Sequence, residues 1–127
     1  MRWLVDSVIL IDHFNGINAA TQFIADECED IALSPITRAE VLVGFDDNHL
    51  LAAVELLDQF PTLPITAIEA DLAASLRRSE RWRLPDALQA AIAQCHGLDL
   101  VTRNRKDFPP DRYDFVKIPY TLDPLVG

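Results

Sequence analysis

Short apolar runs alternate with longer amphipathic stretches along this chain, and the alternation predicts strands separated by helices. Trp3-Leu-Val-Asp6 reads as a short buried strand, and Ser7–Phe14 as a helix closed by the turn pair Asn15-Gly16. A helix over 19–29 turns Phe23 and Ile24 inward, and Ile31-Ala-Leu33 forms a second strand ahead of Ser34-Pro35. Helices over 36–45 and 48–60 follow. The latter carries Leu50, Leu51, Val54 and Leu57 on one side and Glu55 and Asp58 on the other, and Pro61 ends it. Leu63-Pro-Ile-Thr66 is a third strand, which Pro64 confines to an edge. A long helix over 67–82 buries Ile68, Leu72 and Leu76 and projects Arg77, Arg78 and Arg81. Pro85-Asp86 opens a helix over 86–96 that buries Leu88, Ala91, Ile92 and Cys95 and closes at His96-Gly97. Leu100-Val-Thr102 and Phe115–Ile118 are the last strands, and the tail from Pro119 is irregular.

This order implies an α/β fold, with a short central parallel sheet of four to five strands flanked by helices on both faces. A length of 127 residues suits one domain over 1–127. In such folds polar chemistry gathers beyond the carboxyl ends of the strands, where the strand order reverses.

Composition narrows the function classes. Twenty acids against 11 bases give a net charge of −9, which excludes a uniformly basic nucleic-acid coat. The total hides an asymmetry: residues 1–76 carry 13 acids and only Arg2 and Arg38, whereas residues 77–127 carry nine bases and seven acids. A local phosphate-binding edge is therefore still open. Asp6 and Asp12 interrupt the first apolar run, so no signal-peptide core or membrane span is expected. Cys28 and Cys95 are far apart, and His13, His49 and His96 lack ligand spacing, which fits a reducing cytoplasm without a zinc site.

Three carboxylates stand in apolar settings, and a fourth lies across a polar loop from a strand end. Asp6 ends the first strand, Glu40 lies in Ala39-Glu-Val-Leu-Val43, Asp86 follows Pro85 at a helix start, and Asp107 follows Arg103-Asn104-Arg105-Lys106 beyond a strand. Each has an ordinary alternative: a helix cap for Asp6 and Asp86, a pair with Arg38 or a solvated stripe for Glu40, a turn acid for Asp107. Gly44, placed at helical spacing from Glu40 and Ile36, marks a close approach at a cost of ~1 kcal/mol in a helix interior. Converging on one rim, the four acids repel one another, and a hard divalent cation with oxygen ligands is the usual remedy. Such a site suits phosphodiester hydrolysis. Ser7, Thr102 and Asn104 are placed to orient the carboxylates or to make ordinary strand-end hydrogen bonds, and Asp12 stays outside the ligand set.

Leu4-Val-Asp-Ser-Val-Ile-Leu-Ile-Asp12, Thr37-Arg-Ala-Glu-Val-Leu-Val-Gly44, Leu84-Pro-Asp-Ala-Leu-Gln-Ala-Ala91 and Leu100-Val-Thr-Arg-Asn-Arg-Lys-Asp-Phe108 resemble the four motifs of PIN-domain proteins, and more narrowly those of VapC-type toxins. The resemblance spans residues 3 to about 118. It implies that Asp6, Glu40, Asp86 and Asp107 are the acidic metal-binding and catalytic residues of a Mg²⁺- or Mn²⁺-dependent ribonuclease. It further implies a tRNA or ribosomal RNA target, a homodimer, and a cognate antitoxin as inhibitor. Val8 stands where the family usually has Asn or Ser, and Asn104 where some members have Asp.

RNA needs cations near the acids. Arg103, Arg105 and Lys106 follow one strand, and Arg81 and Arg83, with Arg77 and Arg78 before them, lead up to Asp86. The alternative for these arginines is a solvated helix face. Apolar faces over 19–29 and 48–60 offer grooves to an amphipathic partner segment. A phosphorelay receiver lacks its pattern here, because the second strand ends in Ser34 and Thr102 is followed by Arg103. A non-catalytic PIN-fold binding module is the competing class, and the four intact acids weigh against it.

Overall fold

The computed structural model describes residues 1–122. Four parallel strands, β1 (Trp3–Val5), β2 (Ile31–Ala32), β3 (Asp99–Val101) and β4 (Val116–Lys117), lie in the order β2-β1-β3-β4. Leu4 pairs with Ala32 on one side and with Leu100 on the other, so β1 is central. The chain builds outward from β1 in one direction and then in the other. This places the reversal between β1 and β3, the position at which α/β sheets gather ligands.

Six helices surround the sheet: α1 (Ser7–Phe14), α2 (Asn18–Glu27), α3 (Pro35–Leu42), α4 (Asp47–Leu57), α5 (Ala67–Glu80) and α6 (Leu84–His96). Alternate strand residues face opposite ways. Leu4, Ala32 and Leu100 pack with Ala73 of α5 and with Ala87, Ala90, Ala91 and Ile92 of α6. Trp3, Val5, Ile31 and Val101 pack with Ile9 and Leu10 of α1, Ile24 of α2, Val41 of α3 and Leu57 of α4. One core per face accounts for helices on both sides. Among the described residues, no helix is long and apolar enough to cross a membrane.

Several sequence expectations need correction. The strand over 63–66 is reduced to a single parallel bridge between Leu33 and Thr62. Pro61 and Pro64 supply no amide donors, so the contact comprises Leu33 N–H to Pro61 C=O (2.9 Å) and Leu63 N–H to Leu33 C=O (2.8 Å). On α5, Leu72 and Leu76 pack against the core as expected, but Ile68 is 72% exposed and the fully inward positions are Glu69 and Ala73. A capping box starts the helix and occupies the inward Glu69: the Thr66 side chain caps the helix amides, and Glu69 returns a bond to the Thr66 amide (3.0 Å). Leu51 is likewise exposed, with Ala53 and Leu57 as the buried positions of α4. Cys95 is exposed because the last turn of α6 lies beyond its buried stretch, Ala87–Ala93. Gly44 falls two residues past the end of α3, and an added Cβ would meet only the Val41 carbonyl at 3.5 Å, an ordinary contact. The close approach expected there does not exist. Of the irregular tail from Pro119, residues 123–127 lie outside the described residues.

Candidate active site

Asp6, Glu40, Asp86 and Asp107 line one cleft of about 360 Å³ at the carboxyl rim of the sheet, together with Ser7, Asn104, Arg83 and Lys106. Four separate elements deliver the four acids: the β1–α1 junction, the last turn of α3, the first turn of α6 and the loop after β3.

Asp6 is both helix cap and cleft residue. Its Oδ1 accepts the Ser7 amide (2.8 Å), and its Oδ2 accepts the Thr102 hydroxyl (2.8 Å). Thr102, fully buried just past β3, also accepts the Asn104 amide through Oγ1 (3.1 Å). Asn104 donates its Nδ2 to Asp107 Oδ2 (2.9 Å) and accepts the Asp107 amide at Oδ1 (3.2 Å). The loop of 103–107 is thereby folded so that its acid faces the cleft. The Ser7 hydroxyl donates to Glu40 Oε1 (3.2 Å), whereas Arg38 turns away to Asp58 (3.0 Å). The alternative pairing of Glu40 with Arg38 is not made.

The acids sense one another. Partial burial, then the charges of Asp6, Asp107 and Glu40, push the Asp86 carboxyl up from its ordinary 3.8 to about 6, with Arg83 opposing. Glu40 is also raised, first by burial and then by Asp6, against the Ser7 hydrogen bond. The helix N-terminus that holds Asp86 favours an anion, so the rise shows that desolvation and crowding outweigh the dipole.

Sequence reasoning missed Gln89. It is 2% exposed and donates through Nε2 to Thr37 Oγ1 (2.8 Å) and more weakly to Asp6 Oδ1 (3.4 Å). Thr37 Oγ1 donates in turn to the Val5 carbonyl (3.2 Å). This buried chain fixes the strand end under Asp6. The available signal was a lone amide inside the apolar run Ala87–Ala93. Gln89→Ala is expected to cost about 1–3 kcal/mol of stability and roughly 10-fold in any activity that depends on Asp6, measured by chemical denaturation and by initial rates.

The cations divide. Arg83 and Lys106 lie in the acidic cleft, Arg81 lines an adjoining groove, and Arg105 lines a separate hollow with Tyr120 and Leu122. Arg103, expected to face RNA, instead forks Asp12 through Nε (2.7 Å) and Nη2 (2.9 Å). Asp12 is 5% exposed and also accepts the Tyr120 hydroxyl (2.7 Å). Burial works to raise the Asp12 carboxyl, but the bonds from Arg103 and Tyr120 and the Arg103 charge hold it below the ordinary range. A buried carboxylate next to the loop after β3 has captured the nearest guanidinium.

The donor set of the cleft consists of oxygens only. Among the described residues, no three acidic, histidine or cysteine side chains already surround one point. Mutually repelling carboxylates on an open rim fit a hard divalent cation that keeps several waters, and Asp6, Glu40, Asp86 and Asp107 are the residues that could hold it.

A parallel α/β sheet with four acids gathered on its carboxyl rim defines the class of protein. The PIN domain family model matches residues 3–115. Ribonuclease VapC10 of Mycobacterium tuberculosis (strain ATCC 25618 / H37Rv) is 32% identical over 126 residues, 94% of this chain and 93% of that protein. Ribonuclease VapC19 of the same strain is 33% identical over 117 residues, 84% of this chain and 91% of that protein. A solved toxin–antitoxin complex from Klebsiella pneumoniae contains a chain that superposes with a TM-score of 0.87 at 35% identity, covering 96% of this chain and 100% of that one. This chain belongs to the PIN-domain family, in its VapC-type branch.

Proposed function

We propose that this protein is a Mg²⁺- or Mn²⁺-dependent endoribonuclease that acts as the toxin of a toxin–antitoxin pair and hydrolyses phosphodiester bonds in tRNA or ribosomal RNA. The observation that carries the reading is the convergence of four carboxylates from distant parts of the chain on one cleft, with Asp86 pushed up to about 6 by burial and by its neighbours. Its VapC-type relatives, named as ribonucleases, support it.

Asp6, Asp86 and Asp107, with Glu40, would hold the ion. When bound, it supplies charge stabilisation at the scissile phosphate and acidifies the attacking water. Glu40, raised above its ordinary value and steadied by the Ser7 hydroxyl, would accept a proton from the attacking water. Thr102 and Asn104 hold Asp6 and Asp107 in place. Arg83 and Lys106, on the same cleft, meet the phosphate oxygens of the substrate. A protein antitoxin would meet the site along the apolar groove of Ile11, Phe14, Val41 and Phe45, which Glu40 borders. The same reading includes a cytoplasmic homodimer.

The test is metal removal. Purified protein incubated with total tRNA and ribosomal RNA is expected to cleave it with Mg²⁺ or Mn²⁺ present, to stop on addition of EDTA, and to resume when the metal is restored. RNA binding without metal-dependent cleavage would instead establish a non-catalytic binding module.

A further inference from the structure

The acidic cleft is not the only concave surface that RNA could use. At the C-terminal end of α5, Arg77, Arg78, Arg81, Trp82 and Leu84 line an open groove of about 570 Å³. Arg81 and Trp82 also wall a second hollow with Lys106 and Asp107, and those two residues belong to the acidic cleft as well. This hollow thus shares walls with both the groove and the acidic cleft and lies between them. The Trp82 indole N–H donates to the Asp107 carbonyl (2.8 Å), tying the groove wall to the loop that carries a cleft acid.

Cations at a helix C-terminus ordinarily offset the exposed carbonyls. That explains Arg77, whose Nη1 donates to the Trp82 carbonyl (2.9 Å). It does not explain Arg78 and Arg81. Both are exposed, and among the described residues neither is in an ion pair, whereas Arg38, Arg103 and Arg112 each have a carboxylate partner. Arg81 is also the sole described non-glycine residue with a positive φ, at 63°. A glycine is the ordinary occupant of that helix-end position, and an arginine there is strained by about 1 kcal/mol. The left-handed turn has a consequence: Arg81 is left in the groove, Trp82 is buried as the wall, and Arg83 lies in the acidic cleft, three consecutive residues spanning the two sites.

We propose that this groove is a second RNA contact, in which Arg78 and Arg81 grip backbone phosphates to one side of the scissile bond. The inference rests on the ribonuclease reading of the cleft. Free guanidiniums on an open groove adjoining the site match a polyanionic strand, and no aromatic face is presented for base stacking because Trp82 is 5% exposed. The grip is therefore on the backbone and independent of base identity. Arg78 and Arg81 are positioning residues, and their contribution falls on KM and leaves kcat unchanged.

The test uses Arg78→Ala combined with Arg81→Gly, since glycine removes the side chain while relieving the left-handed strain. In an Asp86→Asn background, affinity for a labelled single-stranded RNA of mixed sequence is expected to fall about 10-fold, with a salt dependence shallower by roughly 0.7 per lost phosphate contact. In the cleaving protein, KM for RNA rises and kcat holds. Arg38→Ala, which removes one guanidinium outside the groove, leaves both unchanged, and Arg81→Lys restores most of the affinity lost by Arg81→Gly. Unaltered affinity and salt slope in the double variant, with wild-type cleavage intact, would overturn the groove and spare the ribonuclease reading. Groove-dependent binding by a wild-type protein that cleaves no RNA would do the reverse.

Discussion

Asp86→Asn is expected to lower RNA cleavage by at least about 100-fold, because even residues that only steady a metal ligand cost 10–100-fold when removed. At the same time it should make the metal-free protein more stable at pH 7. The Asp86 carboxyl is raised in the folded chain from 3.8 to about 6, so between those values the folded state holds a proton that the unfolded state has released. Stability of the metal-free protein therefore falls as pH rises through that window and stays at the lower level above it. Asparagine cannot ionise and removes this component. Melting curves of wild-type and variant protein at pH 4 to 7, in EDTA, should diverge progressively in favour of the variant. An Asp86→Asn protein that melted lower than wild type at pH 7 would show that the acid serves as a structural cap. Undiminished cleavage would remove Asp86 from the mechanism.

Arg103→Ala should be strongly destabilising although the residue lies outside the apolar core. It strips Asp12, 5% exposed, of both guanidinium bonds and leaves only the Tyr120 hydroxyl on the carboxylate. Orphaning a buried charge costs 3–5 kcal/mol, but the Arg103 side chain is 31% exposed and water would screen part of the loss. About 2–3 kcal/mol is expected, a fall in Tm of roughly 10 °C for a domain of this size. Arg105→Ala, two residues on and in no ion pair among the described residues, should stay within about 0.5 kcal/mol of wild type. Equal stability of the two variants would refute the structural role. If the Arg103→Ala effect proved mainly on RNA affinity, with Tm unchanged, the guanidinium would belong to the substrate after all.

These two residues also mark the boundary of what the linear chain discloses. Asp6, Glu40 and Asp86 could be picked out because an acid among Leu, Val and Ala contradicts its surroundings, and contradiction is visible locally, whereas Asp107, in a polar loop, stands out only by its place beyond a strand end. Arg103 could not be assigned in this way. Its neighbours Asn104, Arg105 and Lys106 are all polar, and its partner Asp12 lies 91 positions away. Gln89 does carry a local signal, a lone amide in an apolar run, but its role depends on acceptors from α3 and from the end of β1. The helix faces of α4 and α5 show a subtler failure. Leu51 and Ile68 satisfy the helical period, yet both are exposed, because packing against the core buries a narrower stripe than the apolar one, centred on Ala53 and Leu57 in α4 and on Glu69 and Ala73 in α5. Similarly, the strand over 63–66 had the right apolar content, but with Pro64 inside it and Pro61 just before it the segment could not complete a ladder.

By itself the sequence determined the order of elements, the parallel α/β class and the identity of the four cleft acids, because periodicity, turn residues and misplaced charges are short-range signals. Tertiary structure alone decided which polar groups meet. It placed four carboxylates from four elements on one rim and drove Asp86 to about 6. It drew Arg103 into Asp12 and left Arg78 and Arg81 in no ion pair among the described residues, on a groove joined to the cleft. The division follows from range. Hydrophobic pattern acts along a few residues of chain, whereas electrostatic pairing acts through space among groups that only the packed sheet and helices bring together.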